Sequence, residues 1–197
     1  MSDPSDPSDP GDPDVEPPRA WRRVSSEAGP DLAVCRVRHD WLENPRTGQV
    51  MRRLVLETPD WVNVIARTEE GKFVLVRQYR FGVERVTTEI PGGVIDPGED
   101  HETAARRELR EETGFEARSW TYLGSVESNP AFMTNRCHHW LAEGAVRVGE
   151  PQPDPGEDIR VILLDEAEFR RRLANGEIAH ALVWTAVARV LDLRAAE

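Results

Sequence analysis

The sequence predicts an α/β protein, a mixed-sheet sandwich preceded by an N-terminal antiparallel β unit. Three observations carry this. Runs of alternating apolar residues fill most of residues 20–90, a stretch of strong helix formers interrupts them at 101–113, and two helical segments close the chain after a further group of strands. Strands, helix, strands and helices in that order favour a layered sandwich over a regular βαβ array.

Each element has its own signal. Residues 2–10 read SDPSDPSDP and run on into GDPD, a repeat of acid, serine and proline with nothing to bury. Residues 1–19 are therefore expected to be a disordered, solubilising tail. Residues 20–58 make the antiparallel unit: LAVCRVRHDWL alternates, NPRTGQ carries turn residues, and VMRRLVLE resumes the extended pattern. Pro59 and Asp60 mark the boundary to the main domain, residues 59–197. There WVNVIART and KFVLVRQYRF are strands joined by EEGK, whose glycine suits a hairpin. VTTEI is a short strand ending at Pro91, and PGGVIDPGED reads as a Gly/Pro loop. HETAARRELREET is helical, with Gly114 at its C′ position. Extended segments return at WTYLGSVES, CHHWLAEG and IRVILL. DEAEFRRRLANG is a helix running to Gly176, and HALVWTAVARVLDLRAA is another that places Leu182, Ala186, Val190 and Leu193 on one face.

Composition narrows the function classes. Six of the net −11 charges lie within residues 1–18, so the remainder is only mildly acidic and offers no platform for duplex nucleic acid. Two cysteines, Cys35 and Cys137, make no disulfide framework and no CxxC pair, which suits a reducing cytoplasm. The N-terminus lacks the apolar stretch of a signal peptide, and no run approaches the ~18–20 apolar residues of a membrane helix.

The densest chemistry is GVIDPGEDHETAARRELREETGF, residues 93–115. Glu108, Glu111 and Glu112 stand at i, i+3 and i+4, on one face of the predicted helix. Three carboxylates so close repel one another unless cations sit among them, and a hard divalent ion, Mg²⁺ or Mn²⁺, is the natural counter-charge. Glu99 adds an acid near the helix N-terminus, where the macrodipole favours negative charge. Arg107, four residues before Glu111, is placed to pair with it, and Gly92-Gly93 lets backbone approach a ligand. In isolation an EE pair is more often a solvated helix face. Here the spacing decides. Gly93, Glu99, Arg107, Glu108, Leu109, Glu111, Glu112, Gly114 and Phe115 fit Gly-x5-Glu-x7-Arg-Glu-(apolar)-x-Glu-Glu-x-Gly-(apolar) at every specified position. Chance agreement at ordinary residue frequencies is below about one in a million.

This segment resembles the Nudix box. Residues 60–190 are similar to the ADP-ribose pyrophosphatase and nucleoside-diphosphate-sugar hydrolase branch of that superfamily: QYR at 78–80, EIPGG at 89–93, Pro130 fifteen residues after Phe115, and GEDIRV at 156–161. The resemblance implies a Nudix-type α/β/α sandwich that hydrolyses the pyrophosphate of a nucleoside diphosphate sugar. It implies Glu108 and Glu112 as principal Mg²⁺ ligands (Mn²⁺ in its place), Glu111 beside them, and the Gly92 carbonyl completing a shell. Glu157 is implied as a further ligand or as the group that activates water, ahead of Asp154 and Asp158; Glu111 and Arg107 complete the catalytic set, and Glu99 supports it. Arg80 is implied as a bidentate phosphate contact, with Glu89 and Pro130 at the substrate. Residues 20–58 are similar to the β region through which these enzymes form swapped homodimers. Residues 131–140, AFMTNRCHHW, lack the acids that strict ADP-ribose hydrolases carry after the marker proline, so the expectation is a sugar nucleotide in general.

Other residues have bland readings beside functional ones. Trp41 and Trp61 could stack on a nucleobase, across a dimer in particular, though core or interface roles are commoner. Arg52 could reach phosphate, although an exposed strand arginine is the usual outcome. His138 and His139 are consecutive strand residues facing opposite ways, a poor zinc pair. The loop Asn129–Arg136 is expected to border the substrate pocket. Two further readings compete: a Nudix hydrolase of a dinucleoside polyphosphate, a coenzyme A derivative or an oxidised nucleotide, and an inactive nucleotide sensor. A sensor need not keep three mutually repelling acids.

Overall fold

The computed structural model describes residues 17–194; the expected acidic tail falls mostly on residues 1–16, outside the described residues. Strands β1 (Arg22–Leu32), β2 (Cys35–Glu43) and β3 (Val50–Glu57) form an antiparallel sheet in that order. The turn between β1 and β2 falls at Ala33–Val34, inside the run LAVCRVRHDWL. The first strand, RRVSSEAGPDL, is polar and interrupted by a bulge at Gly29-Pro30, so its sequence signal is weak. Asn44 closes the next turn, its Oδ1 accepting the Arg46 N–H at 2.8 Å.

Eight strands make the second sheet: β4 (Trp61–Thr68), β5 (Phe73–Arg80), β6 (Arg85–Glu89), β7 (Gly92–Val94), β8 (Phe115–Glu116), β9 (Ser119–Glu127), β10 (Arg136–Arg147) and β11 (Arg160–Leu164). The main path is β11-β5-β4-β10-β8, with β6 on β5, β7 on β4 and β9 on β10. Strand β10 is parallel to β4 and the other pairings are antiparallel, so the sheet is mixed. Helix α1 (His101–Thr113) covers one face; α2 (Glu166–Ala174) and α3 (Ala181–Val187) cover the other.

Alternation in β4 explains the layering. Val62, Val64 and Ala66 pack with Ala104, Ala105 and Leu109 of α1, whereas Ile65 packs with Phe169, Leu173, Val183 and Ala186 beneath. Helix α1 starts where the Asp100 carboxylate accepts the N–H groups of Glu102 and Thr103, at 2.9 and 3.0 Å, and stops at Gly114 in the left-handed region.

Two expectations are corrected. The segment read as a loop, PGGVIDPGED, contains β7: Trp61, Val62 and Asn63 pair with Val94, Gly93 and Gly92. Its glycines concealed a strand, because glycine is depleted in strands. The last helix ends at Val187, not beyond 190, and buries Val183, Ala186 and Val187, with Leu191 packing just past its end. That set has helical spacing as good as the expected one, and packing on the sheet selects it. The chain then tightens through Arg189 N–H to Ala186 O and Val190 N–H to Val187 O, at 3.1 and 2.9 Å.

Strands β4 and β5 pair only at Ala66–Val74 and Arg67–Phe73. Beyond that point β6 pairs with β5 and β7 with β4, so the sheet forks. The fork carries the candidate site.

Candidate active site

A cavity of 1270 Å³ opens at the fork, large enough for a dinucleotide-sized ligand. It brings together Arg80, Glu89, Gly92, Gly93, Arg107, Glu108, Glu111, Glu112 and Glu157, all expected from the sequence.

Helix α1 presents the acids and β7 passes beneath them. Glycine is required at 92 by close approach, where a Cβ would meet the Val62 carbonyl at 2.1 Å; a Cβ on Gly93 would displace the Glu108 carboxylate, whose Oε1 would lie 2.3 Å away. The Gly92 N–H donates to Glu112 Oε2 at 2.9 Å. Arg107 is the hub of the remaining charges. Its Nε and Nη2 grip Glu99 at 3.0 and 2.9 Å, Nη1 reaches Glu108 and Glu111 at 2.8 and 3.1 Å, and Nη2 also donates to the Val94 carbonyl. This guanidinium holds Glu99 below the usual carboxylate range.

Burial dominates at the other two acids. It pushes the Glu108 carboxyl up to about 7, against Arg107 and with help from Glu111 and Glu157. It pushes Glu112 up to about 8, against the Gly92 N–H and with help from Glu108 and Glu157. Glu111 is more exposed and leans on Arg107.

As they stand, these acids are engaged by Arg107 and Gly92, and among the described residues no three His, Cys, Asp or Glu side chains gather tightly enough to hold an ion. In this arrangement Arg107 supplies the positive charge between them. The residues nevertheless fit a hard divalent cation. Their donors are all oxygens, the Glu108 carboxylate takes up the space that the missing side chain of Gly93 leaves, and the Glu112 carboxyl is buried with a backbone N–H rather than a cation as its hydrogen-bond donor among the described residues.

Arg80 is anchored within the protein. Its Nε and Nη2 form a fork on Glu89 at 2.9 and 2.7 Å, and the Thr87 hydroxyl donates to the same carboxylate at 2.6 Å. Burial alone would raise Glu89, but these donors outweigh it and keep the carboxyl below its ordinary range. Glu89 is 4% exposed, so it serves as the anchor of Arg80. The fork is spent on Glu89, which leaves the Nη1 edge of Arg80 for an anion. Glu157 sits on the loop before β11, where its Oε2 accepts the Asp154 N–H at 3.1 Å. Asp154 also lines the cavity; Asp158 does not, and pairs with Arg160.

Trp41, Arg52 and Pro130 do not line this cavity. Trp41 and Arg52 face each other across β2 and β3, with the guanidinium 5.7 Å from the ring centroid. The loop after β9 does not border the cavity either. Its Phe132 carbonyl accepts the Leu56 N–H at 2.7 Å and its Thr134 N–H donates to Leu56 O, which straps it along β3. His138 stacks on His101 at 4.5 Å and meets the Tyr122 hydroxyl at 2.9 Å, whereas His139 is buried against the Thr185 hydroxyl. Sequence reading missed Asn63, Gln78 and His180, which line the cavity. Asn63 had a signal, a lone amide in an apolar strand.

Comparison with known proteins adds a family. A NUDIX domain model matches residues 58–184. The chain is 34% identical over 174 residues to the ADP-ribose pyrophosphatase of Mycobacterium tuberculosis, covering 87% of this chain and 82% of that one. It is 36% identical over 137 residues to the methanol dehydrogenase activator of Bacillus methanolicus, covering 68% and 74%. The crystal structure of an ADP compounds hydrolase superposes with a TM-score of 0.78, covering 89% of this chain and 95% of that one at 22% identity, a likeness of fold.

Proposed function

This chain belongs to the Nudix family, and from that premise we propose that it hydrolyses the pyrophosphate bond of a nucleoside diphosphate sugar. The products are a nucleoside monophosphate and a sugar phosphate. The observation that carries the reading is the pair of acids, half-buried Glu108 and buried Glu112, set against Gly92-Gly93 in a cavity that also presents Arg80. ADP-ribose heads the candidate substrates, since relatives in Mycobacterium tuberculosis and Bacillus subtilis bear the name ADP-ribose pyrophosphatase.

Glu108, Glu111 and Glu112, with the Gly92 carbonyl, would hold Mg²⁺ or Mn²⁺. Such an ion neutralises phosphate oxygens and makes water a better nucleophile. The protein does the rest. Arg80, anchored by Glu89, steadies a phosphate through its Nη1 edge. Glu157 accepts the proton of the attacking water as the bridging P–O bond breaks. Arg107 and Glu99 fix the helix that carries the acids.

The test is Mg²⁺-dependent release of monophosphate from ADP-ribose, ADP-glucose, UDP-glucose and GDP-mannose. At least one is expected to turn over, and release that EDTA stops completely. Hydrolysis of none of them, with coenzyme A or dinucleoside polyphosphates cleaved instead, would refute the substrate class.

The N-terminal sheet supports a homodimer. Trp21, Val24, Leu32, Val34, Val50 and Leu54 are exposed apolar residues on β1, on β3 and beside β1. In such a dimer Trp41 and Arg52 would be available to a second copy's cavity. Light scattering should give twice the chain mass, and Val24→Glu with Leu54→Glu should return the monomer. Unpaired Cys35 and Cys137 accord with a reducing cytoplasm. Among the described residues no helix is long and apolar enough to cross a membrane.

A further inference from the structure

Asn63 stands between buried Val62 and buried Val64 in the middle of β4. Asparagine is depleted in strands, and a half-buried amide needs partners. Only half of it has one. Its Oδ1 accepts the Cys137 thiol at 3.0 Å, and Cys137 is itself fully buried beside His139, whose Nε2 meets the Thr185 hydroxyl at 3.1 Å. Burial pushes that thiol up to about 12, so it keeps its proton and remains a donor. The amide orientation is thereby set, and Nδ2 has no hydrogen-bond partner among the described residues. It lies against β7, where a Cβ on Gly92 would come within 2.7 Å of it. Asn63 and Gly92 both line the cavity, and Asn63 points to the α3 side of the sheet, away from the acids of α1.

We infer that Asn63 is a substrate-contacting residue whose unpartnered amide N–H donates to an acceptor oxygen of the sugar nucleotide, and that Cys137 is the positioning residue that aims it. This rests on the proposed function. A phosphate oxygen and a sugar hydroxyl share the required chemistry, and the ligands of the test separate them. A neutral donor here adds selectivity without adding charge to a site already crowded with ions.

The test uses the full chain in a Glu112→Gln background, so that turnover is slowed while ligand binds, and measures Kd for ADP and ADP-ribose by calorimetry with Mg²⁺ present. Asn63→Leu and Asn63→Ala should each weaken ADP-ribose about fivefold, one hydrogen bond's worth. Loss for ADP-ribose alone places the acceptor on the terminal sugar; equal loss for ADP places it on the adenosine diphosphate that both ligands share. Cys137→Ala should weaken binding about twofold and Cys137→Ser should restore it, because the hydroxyl also donates. In the otherwise native enzyme the Asn63 variants should raise KM more than they lower kcat. Unchanged Kd in both Asn63 variants, with thermal unfolding showing both folded, would overturn the contact. A Cys137→Ser variant no better than Cys137→Ala would overturn the positioning role. Both results leave the proposed reaction standing; only a native enzyme that cleaves no sugar nucleotide removes that.

Discussion

Glu112→Gln should lower kcat by on the order of 10³-fold while leaving the fold in place. Two contributions make the effect large. The substitution removes the buried one of the acids available to a divalent cation, and such charge stabilisation in a dry site is worth several kcal/mol, at about 1.4 kcal/mol per tenfold in rate. It also removes an acid that Glu108 and Glu157 both oppose, and whose hydrogen-bond donor among the described residues is the Gly92 N–H. A glutamine carbonyl accepts that N–H equally well, so β7 keeps its anchor and thermal unfolding should move little. Steady-state kinetics with the best sugar nucleotide, alongside a calorimetric Kd for the same ligand, separates the outcomes. Lost turnover with retained binding supports the acid pair as the metal-holding centre. Full turnover would show that the chemistry lies elsewhere in the cavity.

The acids of α1 were legible because a helix repeats every 3.6 residues, so spacing alone puts Glu108, Glu111 and Glu112 on one face. The capping of that helix by Asp100 and Gly114 follows equally local rules. What spacing does not encode is which charges meet. Arg107 holds Glu111 as its spacing predicts, but it also spans Glu99 and Glu108, because the preceding loop folds Glu99 back onto the helix. Arg80 and Glu89 were read as separate ligands of substrate. They are partners because β5 and β6 form a hairpin that sets Arg80 opposite Arg85 and Val76 opposite Glu89, a register visible only once the strands pair. Strand β7 was hidden for a different reason. Its extended conformation is imposed by β4, and a Gly-Gly sequence has no preference of its own that would announce it. Asn63 and His180 reach the cavity only because the sheet forks and the N-terminus of α3 falls beside the gap.

Stripped of divalent cations, the protein should lose stability as pH rises from about 6.5 to about 8, and Mg²⁺ or Mn²⁺ should restore it. The sign follows from proton counts. Glu108 and Glu112 titrate near 7 and 8 in the folded chain, against 4.5 when unfolded, so in this window the native state holds protons that the unfolded state has released. Stability then falls with rising pH, by about 2 kcal/mol over the window, or roughly 4–8 °C in Tm for a chain of this size. Below the window the trend is masked. Burial lowers His139 from 6.5 to about 4, so its neutral native form favours folding increasingly as pH climbs to 6.5. Depressed acids such as Glu89 and Glu99 contribute their change lower still, below 4.5. A divalent cation binds the ionised carboxylates only, so its stabilising effect must grow across the same window in which the bare protein weakens. Thermal unfolding at several pH values, in EDTA and in excess Mg²⁺, should give curves that diverge steadily from pH 6.5 to 8. In Glu112→Gln both the slope and the divergence should shrink, because one of the two titrating groups is gone. A cation effect of equal size at every pH would mean that the ion binds groups already ionised at neutral pH, and would remove Glu108 and Glu112 as its ligands.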